Sequence, residues 1–333
     1  MLSLEDQANE TDGTSGQIRI NMTYSNTAIE ITNVTKTFGK HVAVDELSLS
    51  VPQGSVYGFI GPNGSGKTTT LRMIMNILYP DSGQIRVFGE PLKSTLCDRI
   101  GYMPEERGIY RRMKVRELLQ FLGSLKNGKD IARNVDRWLD RLDLVAWGSK
   151  KVEALSKGMS QKVQFIATVV ANPELVILDE PFTGLDPVNT ESIKDAILEL
   201  QAQGTTVIFS THDMSMAERM CDFIFMIFKG KKVLDGTLAS IQDLYGTDTV
   251  RVRTRDGADA LQNLEGVEKL NDYGQLQELR LAQDGDPQTI LQTIIQRTRV
   301  DGFDVVRPSL HDIFIRIAGP EAQETQEAQN AHA

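Results

Sequence analysis

Only two cysteines, Cys97 and Cys221, and four histidines occur in the 333 residues. Two thiols are too few for a disulfide framework, and they form no metal-binding cluster, so a reducing compartment fits. No apolar run approaches the ~20 residues needed to cross a bilayer. The densest, Phe223 to Phe228, reads as a core strand. The start, Met1 to Asp6, is acidic and carries no apolar secretory segment. Positive charge is in deficit: 36 Lys and Arg against 45 Asp and Glu leave a formal net charge of −9. That balance disfavours wholesale nucleic-acid binding and leaves a local basic patch open. What is present, 24% charged and 40% hydrophobic residues, describes a soluble globular protein. The length allows one large domain and one small one.

Gly61-Pro62-Asn63-Gly64-Ser65-Gly66-Lys67-Thr68 fits the phosphate-binding pattern G-x-x-x-x-G-K-[ST] at every fixed position. Strand-like Ser55 to Ile60 precedes it, and Thr69 to Leu78 follows with apolar residues at helical spacing. Backbone N–H groups of such a loop close around phosphate oxygens at a helix N-terminus. Lys67 is expected to reach the β- and γ-phosphates, Thr68 to offer its hydroxyl to Mg²⁺, and Thr69 to complete the loop.

Leu175 to Leu178 reads as a short buried strand ending in Asp179-Glu180. A carboxylate at such a strand end suits outer-shell Mg²⁺ coordination, the Walker B role in P-loop ATPases, here Asp179. Glu180 is placed to polarise an attacking water, a contribution on the order of 10²–10⁴ in rate. Two adjacent acids after a strand, taken alone, would read as a solvated turn. The phosphate loop upstream argues against that.

Leu155-Ser156-Lys157-Gly158-Met159-Ser160-Gln161-Lys162 resembles the signature motif of ATP-binding cassette (ABC) proteins. The usual form is LSGGQ, one residue, then Gln and a basic residue. Ser156 and Gly158 keep the hydroxyl and the accessible backbone N–H that grip a γ-phosphate bound to a second subunit. Ser156 as an ordinary helix cap is compatible with this reading. Lys157 and Met159 depart from the common form. In the family's order, Pro181 to Pro187 resembles the D-loop that crosses the interface between two cassettes. Thr206 to Thr211 reads as a strand ending at His212, which matches the switch histidine that contacts the γ-phosphate. Phe38 matches the aromatic that stacks on adenine. The resemblance covers residues 28–242 and is identified as that of an ABC ATPase domain.

Glu105 in Tyr102-Met103-Pro104-Glu105-Glu106-Arg107 occupies a position where the family places a glutamine that ligands Mg²⁺ and senses the membrane partner. A carboxylate is a stronger ligand for Mg²⁺ and adds negative charge beside the triphosphate. This segment, the Lys157-containing signature and a C-terminal extension together resemble bacterial ABC-2-type export ATPases, among which sodium-export ATPases are named.

The expected architecture is an α/β P-loop NTPase with a helical subdomain, plus a small α+β, ferredoxin-like C-terminal domain. Residues 1–27 and 319–333 read as disordered tails, 28–242 as the ATPase domain and 246–318 as the accessory domain. Ile29 to Phe38 alternates and reads as an edge strand. Val115 to Leu125 and Ile131 to Leu144 have helical spacing within a subdomain of about 105–160; ordinary helix packing would explain that spacing equally well. From Asp248 the order of elements is β-α-β-β-α-β: Thr249 to Thr254, a helix over Ala258 to Leu264, a hairpin turning at Asn271 to Gly274, a helix over Thr289 to Ile295, and a last strand from Phe303. Ser309 caps a short final helix. A regulatory or dimerising role and simple completion of the fold both remain for this segment.

The resemblance implies an ATP hydrolase using ATP and Mg²⁺, with Glu180 and His212 catalytic. Phe38, residues 61–69, Ser156 and Gly158 would hold nucleotide, and Thr68, Asp179 and Glu105 the metal. It further implies a second cassette, expected in a homodimer, and a separate transmembrane permease on whose cytoplasmic face the chain sits. No nucleic-acid partner is expected. A soluble ABC ATPase acting on ribosomes or DNA and an importer ATPase are the alternatives. A single set of motifs, and only about ninety residues without a heptad run between phosphate loop and signature, weigh against the first.

Overall fold

The computed structural model describes residues 26–319 except 107, 127–129, 247 and 283, and leaves aside the side chains of 94, 95 and 97. The expected disordered tails therefore lie almost wholly outside the described residues, and Thr27 already belongs to a strand. Two compact units divide between Thr237 and Leu238. Among the described residues no helix is long and apolar enough to cross a membrane.

The first unit opens with a hairpin of β1 (Thr27–Phe38) and β2 (His41–Pro52), then β3 (Val56–Ile60) and α1 (Lys67–Ile74). Next come β4 (Ser82–Val87), β5 (Glu90–Pro91) and β6 (Ile100–Met103). A helical stretch follows, with α2 (Val115–Ser124), α3 (Ile131–Arg141) and α4 (Lys157–Val169). The unit ends with β7 (Leu175–Asp179), α5 (Pro187–Ala202), β8 (Thr206–Thr211), α6 (Met214–Met220), β9 (Phe223–Phe228) and β10 (Lys231–Gly236).

A four-stranded antiparallel sheet has the order β2-β1-β4-β5. β1 is thus an interior strand, not the edge expected from its alternation. Alternation reports which face is buried and says nothing about how many neighbours a strand has. The second neighbour, β4, arrives from beyond the phosphate loop and its helix.

The second sheet has the order β10-β9-β3-β8-β7-β6, parallel except for β10. All residues of β3, β7 and β8 are buried, as a parallel sheet covered on both faces requires. Period-2 alternation sorts them. Tyr57, Phe59, Ile177 and Ile208 join the core beneath the antiparallel sheet and α1. Val56, Val176, Leu178, Val207 and Phe209 join the core under α2, α3, α4 and α5. Trp138 and Phe165 anchor the helical side with an edge-to-face contact at 5.8 Å. Parallel pairing aligns the C-terminal ends of β3, β7 and β8, with Ile60 opposite Thr211 and Asp179 opposite Ser210. In open α/β sheets that edge is where ligands bind.

The second unit contains α7 (Leu238–Tyr245), β11 (Thr249–Thr254), β12 (Val267–Asp272), β13 (Gln277–Leu281), α8 (Pro287–Arg297), β14 (Val300–Val306) and α9 over 310–319. Its sheet order is β12-β13-β11-β14, antiparallel throughout, as in a ferredoxin-like fold. The helix expected over Ala258 to Leu264 is instead a 3₁₀ turn at Gly257–Leu261. Left-handed Gly257 (φ 63°) begins it and left-handed Asn263 (φ 53°) follows it, which leaves no room for a full turn more. Ser309 does cap α9: its Oγ accepts from the Asp312 N–H at 3.2 Å, and the Asp312 carboxylate accepts from the Ser309 N–H at 3.1 Å.

Candidate functional site

The loop after β3 turns into α1 through Gly66, at φ 109°, a conformation glycine adopts without strain. A Cβ there would lie 2.5 Å from the Ala43 carbonyl oxygen, so β2 presses directly on the loop. Pro62, Asn63 and Gly64 stay at the surface, whereas Ser65, Gly66 and Lys67 are buried. Thr69 is half-buried on the first turn of α1. Lys67 Nζ donates to the Gly61 carbonyl at 2.7 Å and the Pro62 carbonyl at 3.1 Å, and lies 3.8 Å from Glu180 Oε1. Burial pulls its pKa below the ordinary lysine value; the charges of Glu180, Asp179 and Glu105 pull the other way. Ser65 Oγ is buried without a partner. A buried ammonium and an orphan hydroxyl in one glycine-rich loop suit an anion with several acceptor oxygens.

Asp179 and Glu180 end β7 with 1% and 7% exposure. Thr68 Oγ1 donates to Asp179 Oδ1 at 3.3 Å, linking the phosphate loop to the carboxylate. Ser210, fully buried on β8, donates its hydroxyl to Asp179 Oδ1 at 2.5 Å and accepts the Glu180 N–H at 2.9 Å. Glu180 has φ 50°, left-handed and costly for a non-glycine residue, by about 1–3 kcal/mol. Its carboxylate accepts from Thr183 Oγ1 at 3.2 Å, and His212 Nδ1 lies 3.1 Å from both oxygens. The structure therefore gathers Lys67, Thr68, Asp179, Glu180 and His212 into one cluster.

Glu105 follows β6 with its side chain exposed, near enough for its charge to act on Lys67. Ser156 and Gly158 stand apart from this cluster at the start of α4, where Ser156 Oγ accepts from the Met159 N–H at 3.2 Å. A Cβ on Gly158 would lie 2.6 Å from Asn189 Nδ2, so the glycine admits the first turn of α5. Phe38 ends β1 with its ring 47% exposed and Lys36 Nζ 5.6 Å from its centroid.

Three residues that sequence reasoning passed over also shape the site: Ser210, Thr183 and Gln164. Gln164 on α4 is 4% exposed, and its Nε2 donates to the carbonyls of Pro104 (2.9 Å) and Glu106 (3.4 Å). For Ser210 and Gln164 the only signal is a polar residue where an apolar one would pack; Thr183, exposed, carries none beyond its place in the Pro181 to Pro187 segment. Among the described residues no group of three or more His, Cys, Asp or Glu side chains could hold a metal by itself. The protein offers a cation one hydroxyl and one carboxylate that already touch, Thr68 and Asp179, with the exposed Glu105 carboxylate nearby. That is a fit for Mg²⁺ arriving with phosphate oxygens and water, not for a protein cage.

Residues 44–183 match the family described as ABC transporter, and residues 236–318 the family described as ATP-binding protein DrrA1-3-like, C-terminal domain. The uncharacterized ABC transporter ATP-binding protein YhaQ of Bacillus subtilis is 40% identical over 293 residues, which is 87% of this chain and 98% of that one. The Nod factor export ATP-binding protein I of Sinorhizobium fredii is 32% identical over 310 residues, covering 90% and 88%. A solved ATP-binding subunit of an ABC transporter superposes with a TM-score of 0.62 at 28% identity, over 66% of this chain and 94% of that one. Similarity of this strength running through both units makes the chain a member of the ABC transporter ATP-binding proteins, P-loop cassettes that bind and hydrolyse ATP, with a DrrA-like C-terminal domain.

Proposed function

We propose that this chain powers export through a separate transmembrane permease, by closing on a second copy of itself around ATP. The observation that carries the chemistry is Glu180: a buried, acceptor-only carboxylate in a strained conformation, hydrogen-bonded by Thr183 and His212 and facing Lys67. In this reading Glu180 accepts the proton of the attacking water. His212 orients that carboxylate and reaches for the γ-phosphate. Lys67 and the backbone of residues 61–69 hold the β- and γ-phosphates, while Phe38 stacks on the adenine. Bound Mg²⁺ would neutralise charge developing on the phosphates, and Thr68, Asp179 and Glu105 are the residues to hold it.

Ser156 and Gly158 would engage the nucleotide of the second copy, so contacts to its γ-phosphate exist only in the closed dimer. Hydrolysis removes them and the dimer reopens. The cassette is assigned to 28–242, with its helical part at about 105–160, and the accessory domain to 246–318. Export is favoured over import by the kinship with a Nod factor export protein and by the DrrA-like domain. Having no membrane-spanning helix among its described residues, the chain would work at the cytoplasmic face against a permease that selects the cargo.

The test is co-purification: tagged Glu180→Gln chain, with ATP, from detergent-solubilised membranes of its host. Recovery of a stoichiometric multi-span permease is expected. Recovery of ribosomal or DNA-processing proteins without a membrane protein would leave the ATPase intact and overturn the transport role.

A further inference from the structure

Gln164 is a fully enclosed amide in the middle of α4, and burying an amide costs free energy unless it is satisfied. Its Nε2 is satisfied by backbone: the Pro104 carbonyl, in the peptide bond that leads into Glu105, and the Glu106 carbonyl just beyond it. Its Oε1 is buried with no partner. Half of the amide's hydrogen-bonding capacity is thus given up, while the other half pins both flanks of a single residue. Pro104 is partly exposed and Glu106 exposed, so the segment that Gln164 holds lies at the surface. The helix that carries Gln164 also carries Ser156 at its N-terminus.

The geometry points to Gln164 as a positioning residue that fixes the Glu105 carboxylate on the metal side of the nucleotide site. The inference rests on the reading of Glu105 as a Mg²⁺ ligand given above. It goes further by naming what holds an exposed side chain on a loop in one place. Released from Gln164, the segment 104–106 gains backbone freedom, and the carboxylate has to be ordered anew each time a Mg²⁺–nucleotide binds. Binding of nucleotide without metal does not call on Glu105 and is indifferent to Gln164.

The experiment titrates MgCl₂ against binding of a fluorescent ATP analogue to the full chain, in wild type, Gln164→Met, Glu105→Ala and the double variant. Methionine keeps the volume of the side chain and removes its polar atoms; Gln164→Leu serves as a second isostere should the first fold poorly. Losing the hydrogen bonds of one amide is expected to raise the half-saturating Mg²⁺ concentration by about five- to tenfold. In the Glu105→Ala background the same change is expected to shift it by less than twofold, the non-additivity of two residues acting through one another. Affinity in EDTA should be the same with and without Gln164→Met in each background, while Glu105→Ala, which removes a negative charge beside the triphosphate, sets its own baseline. A Mg²⁺ demand unchanged by Gln164→Met, or raised by the same factor in both backgrounds, would overturn the inference. Were Glu105→Ala itself without effect, the reading of Glu105 as a ligand would fall first, and the role of Gln164 with it.

Discussion

Ser210→Ala removes one oxygen from the interior and should disable the cassette. That hydroxyl donates to the Asp179 carboxylate at 2.5 Å and accepts the Glu180 N–H at 2.9 Å, at zero exposure. The first bond is to a charged group, worth about 1.5–3 kcal/mol, and the second adds about 1 kcal/mol. No water replaces them in a fully packed strand pair, so a loss of about 3 kcal/mol is expected. For a unit of this size that lowers the melting temperature by about 9 °C. The larger effect is on chemistry. Glu180 holds a left-handed φ of 50° that its own preference does not supply, and Ser210 pins its backbone N–H. Freed from that bond, Glu180 relaxes away from His212 and Thr183, and a shift on the order of 1 Å at a reacting group costs about 10²-fold in turnover. Thermal melting, paired with steady-state ATP hydrolysis, reads both quantities. A variant melting within 1–2 °C of wild type with kcat within twofold would refute this account of the site.

Two further perturbations test the electrostatics of each unit separately. Burial pushes the Asp235 carboxyl above its ordinary value, with Lys232 and the Tyr57 hydroxyl, 2.7 Å away, only partly offsetting it. The native state therefore binds that proton more tightly than the unfolded chain, and wild-type stability rises as pH falls through the raised value. Asp235→Asn should accordingly be the more stable protein at pH 7–8, with the advantage shrinking in acid; a constant difference, or a less stable variant at pH 8, would contradict the assignment. In the second unit Arg316 grips Asp248 with two nitrogens at 2.8 and 2.9 Å, tying α9 to the start of β11. Arg316→Ala is expected to cost about 1–3 kcal/mol of that unit's stability, visible as faster amide exchange in β11 and α9. Unchanged protection would show the pair to be incidental.

The nucleotide site was legible in the sequence because its parts are local. Residues 61–68 build a loop whose chemistry is contained in eight consecutive positions, and Asp179-Glu180 and His212 each sit where an apolar strand stops. The residues missed are those that act across strands or between helix and loop. Nothing in Thr206 to Thr211 says that Ser210 will stand opposite Asp179, because register belongs to the β7–β8 pairing and not to either strand. Gln164 likewise gains meaning only when α4 lies against β6 and the loop that follows it. The misplaced edge at β1 has the same origin: β4 reaches it from a distant part of the chain. In the second unit the strand order followed from the succession of elements, while the first helix shrank because Asn263, near its expected end, adopts a left-handed backbone conformation that a helix cannot contain.

The central claim, that hydrolysis at Glu180 governs ATP-driven pairing of two cassettes, is tested most directly by sedimentation of Glu180→Gln. Turnover should fall by at least about 10²-fold, the contribution of a positioned carboxylate, while ATP affinity is retained. With Mg²⁺ and ATP the variant should sediment at twice the monomer mass, and it should return to monomer with ADP or EDTA. Wild-type turnover in the variant, or a mass indifferent to ATP, would contradict the claim.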